Sequence, residues 1–148
     1  MLSRTILRSI NQSRSLYSIR CYSTGSNIRF TKEHEWIRLD QDVGTVGITD
    51  HAQKELGDIV YVDLPKVGAT FKKSSAVATV ESTKAASDIY SPVSGIIVDV
   101  NKDLESAPEL INEGPLDKGW IFKLKLTDKS EFDTLLSKAD YDKIAENH

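Results

Sequence analysis

Sulfur is nearly missing from this 148-residue sequence, which has one cysteine, Cys21, and one methionine, Met1. A lone cysteine excludes a disulfide framework and any zinc site built on thiolates. No window approaches the eighteen consecutive apolar residues of a spanning helix, so no membrane role is expected. Glycine-rich phosphate loops, the Walker pattern and the nucleophile elbow are all missing. Ser91, Ser94 and Ser106 have no evident base partner. The three histidines, His34, His51 and His148, lack the spacing of a metal motif, and no metal is expected. These absences disfavour a self-contained catalyst.

Acidic residues are missing from the first 32 positions; Glu33 is the first. Residues 1–22 instead hold four arginines (Arg4, Arg8, Arg14, Arg20) and five serines. Leu2, Ile6, Leu7 and Ile10 fall on one helical face, with Arg4 and Arg8 opposite. An amphipathic start rich in Arg and Ser reads as a mitochondrial transit peptide, and a secretory signal would need a longer apolar core. The segment Arg20-Cys21-Tyr22-Ser23 resembles a matrix-peptidase site. The expectation is therefore a cleaved segment 1–22, a mature domain 23–148 and a matrix location. Cleavage leaves 15 basic against 22 acidic residues, a net charge of −7, and removes both sulfur atoms. A surface this acidic repels phosphate backbones, so nucleic acid is not an expected partner.

With 39% hydrophobic residues the chain can build one modest core. Short β-like runs dominate the pattern. Trp36, Ile37 and Leu39 anchor a mixed stretch over 28–39, and residues 43–48 read as a strand. Thr49 or Asp50 caps a short helix, DHAQKEL, that Gly57 closes. Further strands are predicted at 59–64, 76–81, 89–93 and 96–100, with Pro92 placing the third at an edge or an end. Pro65 and Gly68 mark a turn, and residues 101–118, with Pro108 and Pro115, read as a loop. The run WIFKLKL at 120–126 alternates, and Thr127 or Asp128 then caps a helical tail carrying Phe132, Leu135, Leu136, Ala139, Tyr141 and Ile144. Many short strands between Gly and Pro turns predict a compact sandwich or barrel.

The stretch VATVESTKAASDIYSPVSGIIVDV, residues 77–100, places Lys84 on a polar tip between two strands. Its neighbours Ser82, Thr83, Ala85, Ala86 and Ser87 are all small. Such a lysine is open to a modifying enzyme and leaves a tethered group free to swing. A plain solvated lysine satisfies the same pattern.

The segment ESTKAASDIYSPVSG resembles the lipoyl-attachment segment of the glycine cleavage system H protein family. FTKEHEWIRL, VGITDHAQKELGDIVYVDLP, SAPELINEGP and GWIFKLK resemble further signatures of that family, in the same order, over residues 28–145. The resemblance implies a mostly β fold: a lipoyl/biotinyl-carrier-type hybrid barrel-sandwich of two antiparallel sheets, with a short internal helix and a C-terminal helix. It also implies that Lys84 carries one lipoic acid per chain in amide linkage.

The mechanism so implied is that of a shuttle, with the cofactor supplying the chemistry and the protein the placement. The P-protein, a pyridoxal-phosphate glycine decarboxylase, passes an aminomethyl group to the lipoyl arm. The T-protein, an aminomethyltransferase, moves the methylene to tetrahydrofolate, and the L-protein, dihydrolipoamide dehydrogenase, reoxidises the dithiol. Lipoylating enzymes are further partners, and the chain is expected to be a monomer. By the same resemblance Glu35, beside His34, and Asp88 match positions that contact the aminomethyl cation, and Glu81 serves recognition by the lipoylating enzyme. Glu33 departs from the family, whose members often carry a small hydroxyl residue there. An unpaired buried cation is costly, so a cleft holding one needs carboxylates.

Other readings leave different marks. A biotin carrier flanks its lysine with Met, whereas Thr83 and Ala85 stand here. A lipoyl domain of a 2-oxo acid dehydrogenase usually has Asp before the lysine and continues into further domains. A relay that donates lipoyl groups to other acceptors is compatible with the same residues.

Overall fold

The structure, a computed structural model, describes residues 27–146. The segment 1–22, expected to be a transit peptide, and His148 lie outside the described residues. In chain order the elements are β1 (Ile28–Phe30), β2 (Glu35–Asp40), β3 (Val43–Ile48), α1 (Asp50–Leu56), β4 (Ile59–Asp63), β5 (Thr70–Phe71), β6 (Ala76–Ser82) and β7 (Ala86–Tyr90). They continue as β8 (Gly95–Val100), α2 (Asp103–Ser106), α3 (Leu110–Glu113), β9 (Phe122–Leu126), α4 (Ser130–Asp133) and α5 (Lys138–Glu146). One antiparallel sheet has the order β1-β2-β3-β9-β8-β5, and a second has the order β4-β6-β7. The fold is thus mostly β with two antiparallel sheets, as expected, although the sheets do not close into a barrel. No helix among the described residues is long and apolar enough to cross a membrane.

One buried cluster draws on both sheets: Ile37, Val46, Ile97, Phe122 and Leu124 from the larger, Val62, Val80 and Ile89 from the smaller. Each such side chain contributes about 1.5–3 kcal/mol on burial. The alternation expected of residues 120–126 holds over β9, with Phe122, Leu124 and Leu126 buried on one face, but not before it, where Ile121 is also fully buried. A second cluster joins Phe30, Trp36 and Tyr141 and ties α5 to β1 and β2. The Trp36 indole N–H donates to the carbonyls of Ile48 (3.0 Å) and Pro115 (2.9 Å). Gly47 lets that ring close in: a Cβ there would fall 2.9 Å from it.

Three expectations need correction. The strand expected at 89–93 runs from Ala86 to Tyr90. It starts earlier because Ala86 and Ser87 pair with Glu81 and Val80, and it stops short of Pro92, which has no N–H for a ladder. The expected loop 101–118 contains the single-turn helices α2 and α3, which bury Leu104 and Ile111 completely. The single helical tail is two helices, because Leu136 between them pairs with Phe30: each backbone N–H donates to the other's carbonyl at 2.9 Å. Asp128 accepts the Ser130 N–H at 3.0 Å ahead of the first.

Candidate functional site

The tip between β6 and β7 is built by one side chain. Ser82 Oγ accepts the backbone N–H groups of Lys84 (3.1 Å) and Ala85 (3.0 Å), and the Ser82 N–H donates to the Ala85 carbonyl at 2.7 Å. This tight turn leaves Lys84 exposed, as expected. Among the described residues its amine makes no ion pair. The tip is not free-standing, because the Thr83 N–H donates to the Asp58 carbonyl at 3.1 Å. Beneath it, Thr49 caps α1 by accepting the Ala52 N–H, and Gly57 ends it with a φ of 82°. The Lys84 stem runs across Gly57: a Cβ added there would lie 3.2 Å from Lys84 Cε.

Asn112, on α3, holds this junction. Its side-chain amide donates to Gln53 Oε1 and to the Gly57 carbonyl, both at 2.9 Å, and its Oδ1 accepts the Ile59 N–H at 2.9 Å. Asn112 lies within SAPELINEGP, one of the stretches that resemble the family, but no periodicity singled it out in a stretch expected to be a loop.

Beside Leu56 and Asp88 a cleft of about 170 Å³ opens between α1, β7 and the turn at 31–34. Ile48, Ala52, Leu56 and Ile89 line its apolar part, and Glu33, His34, Glu55 and Asp88 its polar part. Asp88 is exposed and accepts the Thr79 hydroxyl at 3.1 Å. His34 has a φ of 69°. A non-glycine residue in the left-handed region costs of order 1–3 kcal/mol, which the surroundings must offset. Here the His34 N–H donates to the Thr31 carbonyl (3.1 Å), and the His34 carbonyl accepts the Thr49 N–H (2.9 Å). On the ring, Nδ1 lies 2.7 Å from the Tyr141 hydroxyl, which lies 2.7 Å from Thr49 Oγ1.

Glu35 sits elsewhere. It is 1% exposed, accepts the Tyr90 N–H at 2.7 Å and the Thr31 hydroxyl at 3.0 Å, and lines a separate cavity of about 200 Å³ with Lys73 and Ser74. Removal from water pushes its carboxyl up from 4.5 to about 7, against the pull of its two hydrogen bonds. Of the residues assigned to the aminomethyl cation, His34 and Asp88 therefore share one cleft and Glu35 lies outside it; Glu33, the departure from the family, lines both cavities. Glu81 is an exposed residue at the end of β6, opposite Ala86.

This architecture and its sequence have relatives. Residues 28–148 match the family model of the glycine cleavage H-protein. The chain belongs to the glycine cleavage H-protein family. It is 51% identical over 122 residues to the glycine cleavage system H protein of Parvibaculum lavamentivorans, covering 82% of this chain and 98% of that one. It is 52% identical over 113 residues to the Thermotoga maritima protein of the same name, covering 76% and 91%. A crystal structure of a glycine cleavage system H protein from Mycobacterium marinum superposes with a TM-score of 0.71 at 34% identity, covering 80% of this chain and 95% of that one. H-proteins are non-catalytic lipoyl-carrier components that work with the other glycine cleavage components. The absence of catalytic motifs from the sequence agrees with that role.

Proposed function

We propose that this chain is the lipoyl-bearing shuttle of a glycine cleavage system and that Lys84 is its attachment residue. It carries the aminomethyl group of decarboxylated glycine from the P-protein to the T-protein, and reducing equivalents to the L-protein. The observation that carries the reading is the exposed Lys84, which makes no ion pair among the described residues, on a turn tied down at Ser82 and Thr83, with its stem lying across Gly57. Amide formation needs a reachable amine, and a swinging arm needs a fixed base; this tip offers both. Lipoate, once attached, supplies a dithiolane that takes up and releases the cargo and two electrons.

The chain's own residues shape the environment. Ile48, Ala52, Leu56 and Ile89 offer an apolar surface in the cleft, whose Leu56 directly precedes Gly57, the residue under the Lys84 stem. Asp88, four residues beyond Lys84, offers a carboxylate to a cationic cargo, and His34 fixes the cleft's far side. Burial of Glu35 and its bonds to Thr31 and Tyr90 favour a role in holding the turn at 31–34 against β7. Glu81, exposed beside the tip, is placed to be read by the lipoylating enzyme. Residues 1–22 act as the transit peptide to the mitochondrial matrix.

Intact-mass analysis of the protein from mitochondria tests attachment and processing together. One lipoyl increment, mapped by peptide to Lys84 on a chain starting near Ser23, supports the reading. A biotin increment, or a bare Lys84 in a functioning organism, overturns it.

A further inference from the structure

The sequence spacing gave no metal motif, yet the fold brings His34, His51 and Glu55 together. One ligand atom from each lies within 4.8 Å of the others. His51 and Glu55 stand one turn apart on α1, with Nε2 and Oε2 at 3.2 Å, and the His34 and His51 rings have centroids 4.5 Å apart, tilted by 35°. We infer that His34, His51 and Glu55 form a divalent transition-metal site of the zinc class, at the edge of the cleft that His34 and Glu55 line.

Four observations support this. His34 reaches its place through a left-handed backbone conformation that two hydrogen bonds hold, so the ring's position is over-determined. The Tyr141 hydroxyl, backed by Thr49, sits on His34 Nδ1. With Nδ1–H donated to Tyr141, the second ring nitrogen keeps the lone pair, which is how outer hydrogen bonds orient ligating imidazoles. Third, Glu33 and Asp88 line the same cleft and add negative potential that favours a dication. Finally, the adjustment needed is small and falls on side chains that are at least partly exposed. Tetrahedral bonds of about 2.0–2.1 Å require the donors to close to roughly 3.4 Å. The Glu55 side chain is 59% exposed and that of His51 26%, so both can rotate inward. The ion bridges the His51–Glu55 pair, bound by the lone pair of neutral His51 Nε2 and by a Glu55 oxygen, with any proton on that nitrogen released to solvent, and water completes the coordination. Two imidazoles and one carboxylate suit zinc, cobalt, nickel or copper; calcium and magnesium prefer all-oxygen sets.

The test is a cobalt(II) titration of the full, unlipoylated chain, followed by displacement with zinc and by calorimetry. One equivalent should bind with the visible absorption of a low-coordinate cobalt site. His51→Ala and Glu55→Gln should each weaken binding at least tenfold, and excess magnesium should not compete. Glu55→Gln changes one exposed helix side chain, so it separates lost ligation from lost folding; circular dichroism checks both variants. His148→Ala, which alters the remaining histidine, should change nothing. Absence of binding at millimolar zinc overturns the site. So does binding indifferent to both substitutions, or binding abolished by His148→Ala.

Discussion

The Lys84 stem and Gly57 occupy one small space: a Cβ at Gly57 would sit 3.2 Å from Lys84 Cε, tighter than ordinary van der Waals contact. Gly57 also has a φ of 82°, where a side chain is strained whatever the room. Gly57→Ala is expected to destabilise the protein by about 1–2 kcal/mol and to slow lipoylation, because the lysine must leave its shelf. Denaturant unfolding measures the first effect and a time course of modification the second. Modification at the wild-type rate would show that the shelf has no part in presenting the amine.

Asn112→Ala should cost about 2–3 kcal/mol in denaturant unfolding. It removes the bonds to Gln53 and Gly57 and leaves the Ile59 N–H without its partner. A loss below 0.5 kcal/mol would mean that water replaces the amide without consequence.

Stability should fall as pH rises from about 4.5 to 7, and Glu35 is the cause. Its carboxyl is raised in the folded state from 4.5 to about 7, so across that window the native protein binds more protons than the unfolded chain. The contribution is complete below 4.5, is lost through 7 and amounts to about 3 kcal/mol at most. Glu35→Gln should flatten this part of the profile in urea unfolding at stepped pH. A variant whose stability tracks pH as the wild type does would assign the dependence to other groups.

Asp88→Asn should leave the unfolding midpoint nearly unchanged, because the side chain is exposed and an amide oxygen can still accept from Thr79. It should shorten the half-life of the aminomethyl group on the loaded carrier severalfold. An unchanged half-life would make Asp88 an ordinary surface acid.

How much of this was legible in the sequence follows from what is local. The helix DHAQKEL, with Thr49 as cap and Gly57 as stop, was readable because every signal lies within nine residues. Lys84 was readable as an exposed tip residue for the same reason, although its function came from resemblance. Leu104 and Ile111 were invisible: Leu104 stands alone between acids and Ile111 has only Leu110 beside it, in a polar, proline-bearing stretch without periodicity. Glu35 was singled out only by resemblance, as a contact of the aminomethyl cation, and nothing local foretold its burial: the placement of Thr31 and Tyr90 around it explains a carboxylate at 1% exposure. The juxtaposition of His34 with His51 and Glu55 joins a turn to a helix that starts sixteen residues on, through backbone contacts that no motif spacing encodes.

The most direct measurement is reconstitution with purified P-, T- and L-proteins, comparing the lipoylated wild type with Lys84→Ala in glycine-dependent NADH formation. The variant should unfold at the wild-type midpoint, since Lys84 is exposed, yet support no NADH formation above background. Wild-type turnover by Lys84→Ala would contradict the account.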